Sequence, residues 1–118
     1  MSDTLQFSNG PITLPAANDN VKDLNLRVHI DSDGNAALSG DDRKGIGAVV
    51  NADGNQPGVS IQLFTQGVPI VRNVSGEAIP GNKAYAAAGG GVAPTGSVEV
   101  GVYGTAIDGT GDVRIIQE

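Results

Sequence analysis

The chain of 118 residues has no cysteine, no tryptophan, two phenylalanines, two tyrosines and a single histidine. Without cysteine there is no disulfide framework, no thiolate nucleophile and no Cys-ligated zinc or iron–sulfur site. One histidine rules out a two-histidine metal site within one chain. So few aromatics leave the core to Val, Ile, Leu and Ala, which bury less area per residue, and such a core gains from a partner subunit. Positive charge is also scarce. Seven Lys and Arg against thirteen Asp and Glu give a net charge of −6, and the cations are scattered apart from Arg43-Lys44. Nucleic-acid phosphates would be repelled rather than bound. No apolar run approaches the roughly 18 residues of a membrane helix. Residues 1–7 lack the basic start and apolar stretch of a secretory signal, which predicts synthesis in a cytoplasm.

Glycine is abundant: eighteen residues, with six prolines, suit short strands joined by tight turns. No segment of ten residues has helical period. Leu24, Leu26, Val28 and Ile30 alternate with Asn25, Arg27 and His29, the pattern of a strand with one buried face. Asp31-Ser-Asp-Gly-Asn35 turns the chain, and Ala36-Ala-Leu38 returns. Ile46, Ala48 and Val50 face one way. Val59, Ile61, Leu63 and Thr65 alternate with Ser60, Gln62, Phe64 and Gln66; Gly67 interrupts, and Val68, Ile70 and Arg72 resume. This central stretch reads as a hairpin or one long bent strand. Ala84-Tyr-Ala-Ala-Ala88 is a short strand or a single helical turn. Val98, Val100 and Val102 form a further strand, residues 108–112 a hairpin loop, and Val113-Arg-Ile-Ile-Gln117 the closing strand. No internal repeat at a fixed period is found, which argues against a solenoid. The expected fold is all-β: a small antiparallel β-barrel or sandwich over residues 24–118, with at most one short helix, preceded by an extended N-terminal arm and linker, residues 1–23.

Few residues invite chemistry. Asp31, Asp33, Asn35, Ala37, Ser39 and Asp42 fall on the ligand positions of a calcium loop, but Ala36 stands where that loop needs glycine and no helices flank it. A plain Asx-rich turn is the stronger reading. Asp108-Gly-Thr-Gly-Asp112 resembles one turn of a calcium roll, which needs stacked copies. Gly45-Ile-Gly47 and Gly89-Gly-Gly91 lack dinucleotide-binding spacing. His29 lies on the polar strand face with no nucleophile or orienting partner in view. Asn73-Val-Ser75 is a glycosylation sequon without a secretory signal. The expectation is therefore not an enzyme, with no catalytic residues, no metal and no cofactor. What remains is a binding or structural role. Leu5, Phe7, Ile12 and Leu14 are evenly spaced apolar anchors in the arm, a pattern that a merely disordered terminus would not need.

From Asp31 to Glu118, about three-quarters of the chain, the order of features resembles the phage capsid decoration, or cement, proteins. The residues are the Asp31-to-Gly34 turn after a strand, Gly45-Ile-Gly-Ala-Val-Val50, Val59-Ser-Ile-Gln-Leu-Phe-Thr-Gln-Gly67, Pro80-Gly-Asn-Lys-Ala-Tyr85, Val100-Gly-Val-Tyr-Gly-Thr-Ala106 and Gly111-Asp-Val-Arg-Ile115. The resemblance implies a structural virion protein on the outer capsid surface, a homotrimer at three-fold and quasi-three-fold positions of an expanded icosahedral head. Its partner would be the major capsid protein, with no nucleic acid and no membrane. Residues 1–20, if extended, span up to ~65 Å at about 3.3 Å per residue, enough to reach a neighbouring capsid subunit. Leu5–Phe7 or Ile12–Leu14 would add a strand to its edge, Ile12–Leu14 being the better anchor because Pro11 and Pro15 bracket it. Phe64, Tyr103 and Ile116 lie opposite the main buried faces and are candidates for the trimer interface, though each could equally close a second face of the same core. Another virion module, such as a tail or fibre accessory domain, is the alternative; fibre domains usually carry longer repeats and more aromatics.

Overall fold

A computed structural model describes residues 12–17, 21, 25–51, 58–107 and 111–117. It is mainly β, as expected. Among the described residues ten strands run in chain order: β1 (Ile12–Pro15), β2 (Arg27–Ile30), β3 (Ala36–Leu38), β4 (Gly47–Asn51), β5 (Gly58–Leu63), β6 (Ile70–Arg72), β7 (Lys83–Ala86), β8 (Val92–Ala93), β9 (Glu99–Ile107) and β10 (Asp112–Ile116). Short 3-10 turns follow β5, at Phe64–Gln66, and β7, at Ala88–Gly90. The first five strands form one antiparallel sheet, in the order β1-β5-β4-β2-β3, and the last five form another, β6-β10-β9-β7-β8. Each sheet curls, and a single parallel bridge ties its two outer strands together: Ala16 to Ala36 in the first, Asn73 to Val92 in the second.

The two orders are the same order. Strands β1 to β5 correspond one by one to β6 to β10, and the correspondence reaches single residues. Gly47 lies opposite Leu63 and is followed by Ala48 opposite Gln62 and Val49 opposite Ile61; in the second sheet Val102 faces Ile116 and Tyr103 faces Ile115. Both ladders then slip by a bulge. The Asn25 N–H donates to the Val49 carbonyl at 2.8 Å, and at the matching place Gly81 donates to Tyr103 at 2.9 Å. Both residues have positive φ, +67° at Asn25 and +92° at Gly81. Ala17 donates to Ala36 as Val74 donates to Val92. The chain is thus an internal duplication, a correction to the expectation of no repeat. The two units match in backbone while agreeing in few side chains, among them Gly47 with Gly101, Val59 with Val113 and Ile61 with Ile115.

Each sheet encloses its own small apolar cluster. In the first, Val21, Val28, Ala36, Val49, Val59 and Ile61 are buried, with Ile12 and Leu14 packed against them. In the second, Val71, Ala84, Ala86, Val92, Val100, Tyr103, Val113 and Ile115 are joined by Ala48 from the first unit and by Phe64 from the turn between the two units. Ala48 and Val49, adjacent on β4, are both fully buried because one side faces the second sheet and the other the first. The same sandwiching overrides alternation on β2: Leu26, Arg27 and Val28 are all buried, whereas Ile30 is exposed. The central stretch is neither hairpin nor one bent strand. β5 belongs to the first sheet and β6 to the second, and residues 64–69 carry the chain between them. The 3-10 turn rotates Phe64 inward and Thr65 outward, opposite to the strand expectation, and after it Pro69 and Val71 are buried rather than Val68.

Part of the expected arm is body. Ile12–Pro15 is a strand paired with β5, Ile12 opposite Ile61 and Leu14 opposite Val59. Pro15 is tolerated there because β1 stands at the edge of its sheet's order. The boundary set at residue 23 therefore falls inside the first unit.

Candidate binding surface

Four of the seven residues singled out from sequence have their side chains used internally or part-buried. Ile12 and Leu14 are half-buried in β1, packed against the first cluster, so their backbone edge toward β5 is already paired. This corrects their role as a free strand for a partner. Phe64 and Tyr103 are buried in the second cluster and offer no surface for a trimer interface, the second correction. Phe64 turns in through the 3-10 turn. Tyr103 turns in because the bulge on the β7 side, between Glu99 and Gly101, shifts the alternation at Val100. Ile116 is exposed on β10. Leu5 and Phe7 lie outside the described residues.

The polar residues have structural employment. The Asp31 carboxylate accepts hydrogen bonds from the backbone N–H groups of Asp33, at 3.0 Å, and Asn35, at 2.9 Å. Gly34 sits at φ +85°, so the loop is an Asx turn of the kind its composition predicts. Among the described residues, no three His, Asp or Glu converge to hold a metal ion. His29 lies 3.0 Å from the Ser39 hydroxyl through Nδ1, and burial, helped by the Arg43 cation, lowers its pKa below the usual value.

Arg27, which strand alternation places on the polar face of β2, is fully buried between the two sheets. Its Nε donates to the Gly91 carbonyl at 2.7 Å, Nη1 to Arg43 and Lys44, and Nη2 to Ala87 at 2.8 Å and to Gly40 and Ser39. Gly91 and Ala87 belong to the second unit, the others to the first, so one guanidinium ties both. Desolvation lowers its pKa to about 10, partly offset by Asp41. Nothing in the residue types around it signals this, since its acceptors are backbone carbonyls. Nearby, the Asn25 side chain donates to Asp112 at 2.8 Å across the same junction.

Tyr103 donates its hydroxyl to Asn73 Oδ1 at 2.7 Å, and burial pushes its pKa up to about 12. An unfolded tyrosine ionises near 10. The unfolded chain therefore loses this proton first, and the stability tied to the neutral phenol is present below pH 10 and falls as pH rises from about 10 to about 12. Urea midpoints measured across that window should fall for the native chain and fall much less for Tyr103→Phe.

One concavity stands out. At the end of the first sheet, where β1 begins and β5 ends, an opening of about 420 Å³ is lined mainly by Ile12, Ile30, Ile46, Leu63 and Phe64, with Lys44 at its edge. Its lining is predominantly apolar, and Ile30 is 49% exposed there. The Lys44 ammonium sits 5.5 Å from the centre of the Phe64 ring. Strand alternation turns Ile30 toward the core, so the sequence pattern carries no sign of this apolar mouth. Residues 1–11 lead into β1 at this same end. Comparison of the chain with protein-family models, with curated proteins and with solved structures finds no match.

Proposed function

We propose that this chain is a structural virion protein, a capsid decoration protein that binds the outer surface of an expanded icosahedral phage head. It acts as a trimer at three-fold and quasi-three-fold positions and clamps neighbouring capsomers. The observation that carries this reading is where the residues behind the resemblance lie. Gly45 precedes β4 and Gly47 opens it, Pro80-Gly81 makes the turn before β7, Gly101 and Tyr103 lie on β9, and Val113 to Ile115 on β10. They are the framework positions of the duplicated units, where the matching backbone bonds and close glycine contacts fall. The reading is supported by the places these residues take in the body, at strand starts, turns and close glycine contacts.

The geometry revises how such a clamp would work. With β1 taken into the body, the segment able to reach outward is residues 1–11, ~36 Å at about 3.3 Å per residue, rather than the whole of residues 1–20. The trimer contact falls to exposed apolar residues, with Ile116 the survivor of the three expected. Three N-terminal segments on one trimer act together, so weak individual contacts still hold.

The test is sedimentation of the purified full chain with expanded and unexpanded heads, together with its solution mass. A trimer that co-sediments with expanded heads is the expected result; a monomer that ignores them overturns the proposal. Removing residues 1–6, which spares every described strand, should weaken head binding by roughly a hundredfold through lost avidity.

A further inference from the structure

We infer that the apolar opening of the first unit is the seat of the chain's own Phe7, as the matching end of the second unit is closed by Phe64. The inference rests on the duplication and stands independently of the proposed function.

The chain contains two phenylalanines. Phe64-Thr65-Gln66-Gly67 precedes β6, and Phe7-Ser8-Asn9-Gly10 precedes β1. The order of aromatic, hydroxyl, amide and glycine is the same. Register fixes the spacing independently: Leu14 faces Val59 on β5, and Val71 faces Val113 on β10, its counterpart. Counted back from Leu14 and from Val71, Phe7 and Phe64 stand at the same distance. Both phenylalanines of the chain thus occupy one position of the repeat.

The surroundings differ in the way an unfilled seat requires. Phe64 is 3% exposed and shares its cluster with Ala86, Val98 and Val100. The strand pairings match Ala86 to Ile30, since each faces the first residue of the neighbouring strand, Val92 and Ala36. They likewise match Val100 to Ile46 and Pro69 to Ile12. Ala86, Val100 and Pro69 are buried in the second unit, whereas Ile30 is exposed and Ile46 and Ile12 are only half-buried in the first. Those three isoleucines line the opening. Phe64 shares one buried cluster with Ala86 and Val100, whereas their counterparts Ile30 and Ile46 line an opening, among the described residues, on whose wall Phe64 also stands.

The occupant is the chain's own segment rather than that of a second copy because of the tether. From Phe7 to Ile12 the chain spans ~16 Å at about 3.3 Å per residue, which holds the ring beside the opening at an effective concentration in the millimolar range. With Phe7 seated, the outward reach shortens from residues 1–11 to residues 1–6, ~20 Å at about 3.3 Å per residue.

With so few aromatics, proton NMR of the unmodified full chain reads this directly. The expected result is a set of nuclear Overhauser contacts from the Phe7 ring to methyl groups of Ile30, Ile46 and Leu63, alongside those of Phe64 to Ala86 and Val100. A mixture of isotope-labelled and unlabelled chains separates contacts within a chain from those between copies. Phe7 contacts seen only between copies overturn the assignment, as does a Phe7 ring without methyl contacts when Phe64 shows its own. Hydrogen exchange gives a second readout: Phe7→Ala should speed exchange of the β1 amides by roughly a hundredfold, and Phe7→Leu should restore most of the protection. Equal exchange in Phe7→Ala and the native chain would also overturn it. Neither measurement involves heads, so failure here is distinct from failure of the decoration reading.

Discussion

Arg27→Ala is expected to lower the free energy of unfolding by roughly 4 kcal/mol or more, enough to leave a domain of this size partly unfolded at room temperature. Truncation removes the donors that satisfy six carbonyl oxygens at the junction of the two units. Each bond to the charged guanidinium is worth about 1.5–3 kcal/mol net, and the bonds to the Gly91 and Ser39 carbonyls are buried, Gly91 keeping the Ala87 N–H as its other donor. Arg27→Lys should be only a partial rescue, because an ammonium is a point donor and cannot span acceptors on both sides as a planar fork does. The duplication supplies the control. The matching residue in the second unit is Lys83: Arg27 pairs with Ala48 as Lys83 pairs with Val102. Lys83 is exposed, with Glu99 3.4 Å away. Lys83→Ala should therefore change stability by no more than about 0.5 kcal/mol. Urea unfolding of the three variants checks this, and an Arg27→Ala chain within 1 kcal/mol of the native one, a threshold near the ordinary cost of a single hydrogen bond, would mean the guanidinium does not join the units.

The contrast between Arg27 and Lys83 shows where sequence reading stops. Fold class was legible because alternation is a local signal: Val59 and Ile61, like Val113 and Ile115, turn inward on their strands as their spacing predicts. The Asp31 turn was legible for the same reason, since its hydrogen bonds close within five residues. Alternation fails where a strand is covered on both sides. At Leu26, Arg27 and Val28 the second face is buried by a unit distant in the chain, and no local pattern reports it. It also fails at bulges, which moved Tyr103 inward, and at the 3-10 turn, which did the same for Phe64. The duplication escaped detection because equivalent positions share backbone and not side chains. Where they do agree, the shared residues are mostly glycine, alanine, valine and isoleucine, too common in β-proteins to register as a repeat, and the one distinctive match, Phe7 with Phe64, stands alone. The apolar opening was hidden in turn, because Ile30 reads as a core residue until its counterpart Ala86 is found beneath a neighbouring aromatic.

Gly47→Ala and Gly101→Ala should each destabilise the chain by roughly 2–3 kcal/mol, against the usual direction for glycine in an extended strand. Neither residue has positive φ, so alanine would ordinarily gain about 0.4–1 kcal/mol by restricting the unfolded chain. Space reverses the sign. A Cβ on Gly47 would run into the Gln62 carbonyl oxygen and stand 2.9 Å from Ile61 Cγ2. A Cβ on Gly101 would stand 2.6 Å from the Ile116 carbonyl oxygen and 2.9 Å from Ile115 Cγ2. The obstacles are the same atoms at matching positions, and backbone oxygens in a paired ladder cannot swing aside as a flexible side chain would. Relief requires β4 to part from β5, or β9 from β10, at the strands that carry the bulges. Gly34→Ala separates this effect from glycine loss in general. Nothing lies within 4 Å of its added Cβ, so only its φ of +85° opposes alanine, a cost of about 1 kcal/mol. Thermal unfolding of the three variants should therefore rank Gly34→Ala nearest the native chain, with Gly47→Ala and Gly101→Ala lower and close to each other. Because Arg27 joins the units, damage to either ladder should appear in one cooperative transition. Two separated transitions, or a gain in stability from either strand substitution, would show that the paired ladders are not the rigid, coupled frame described for the two units.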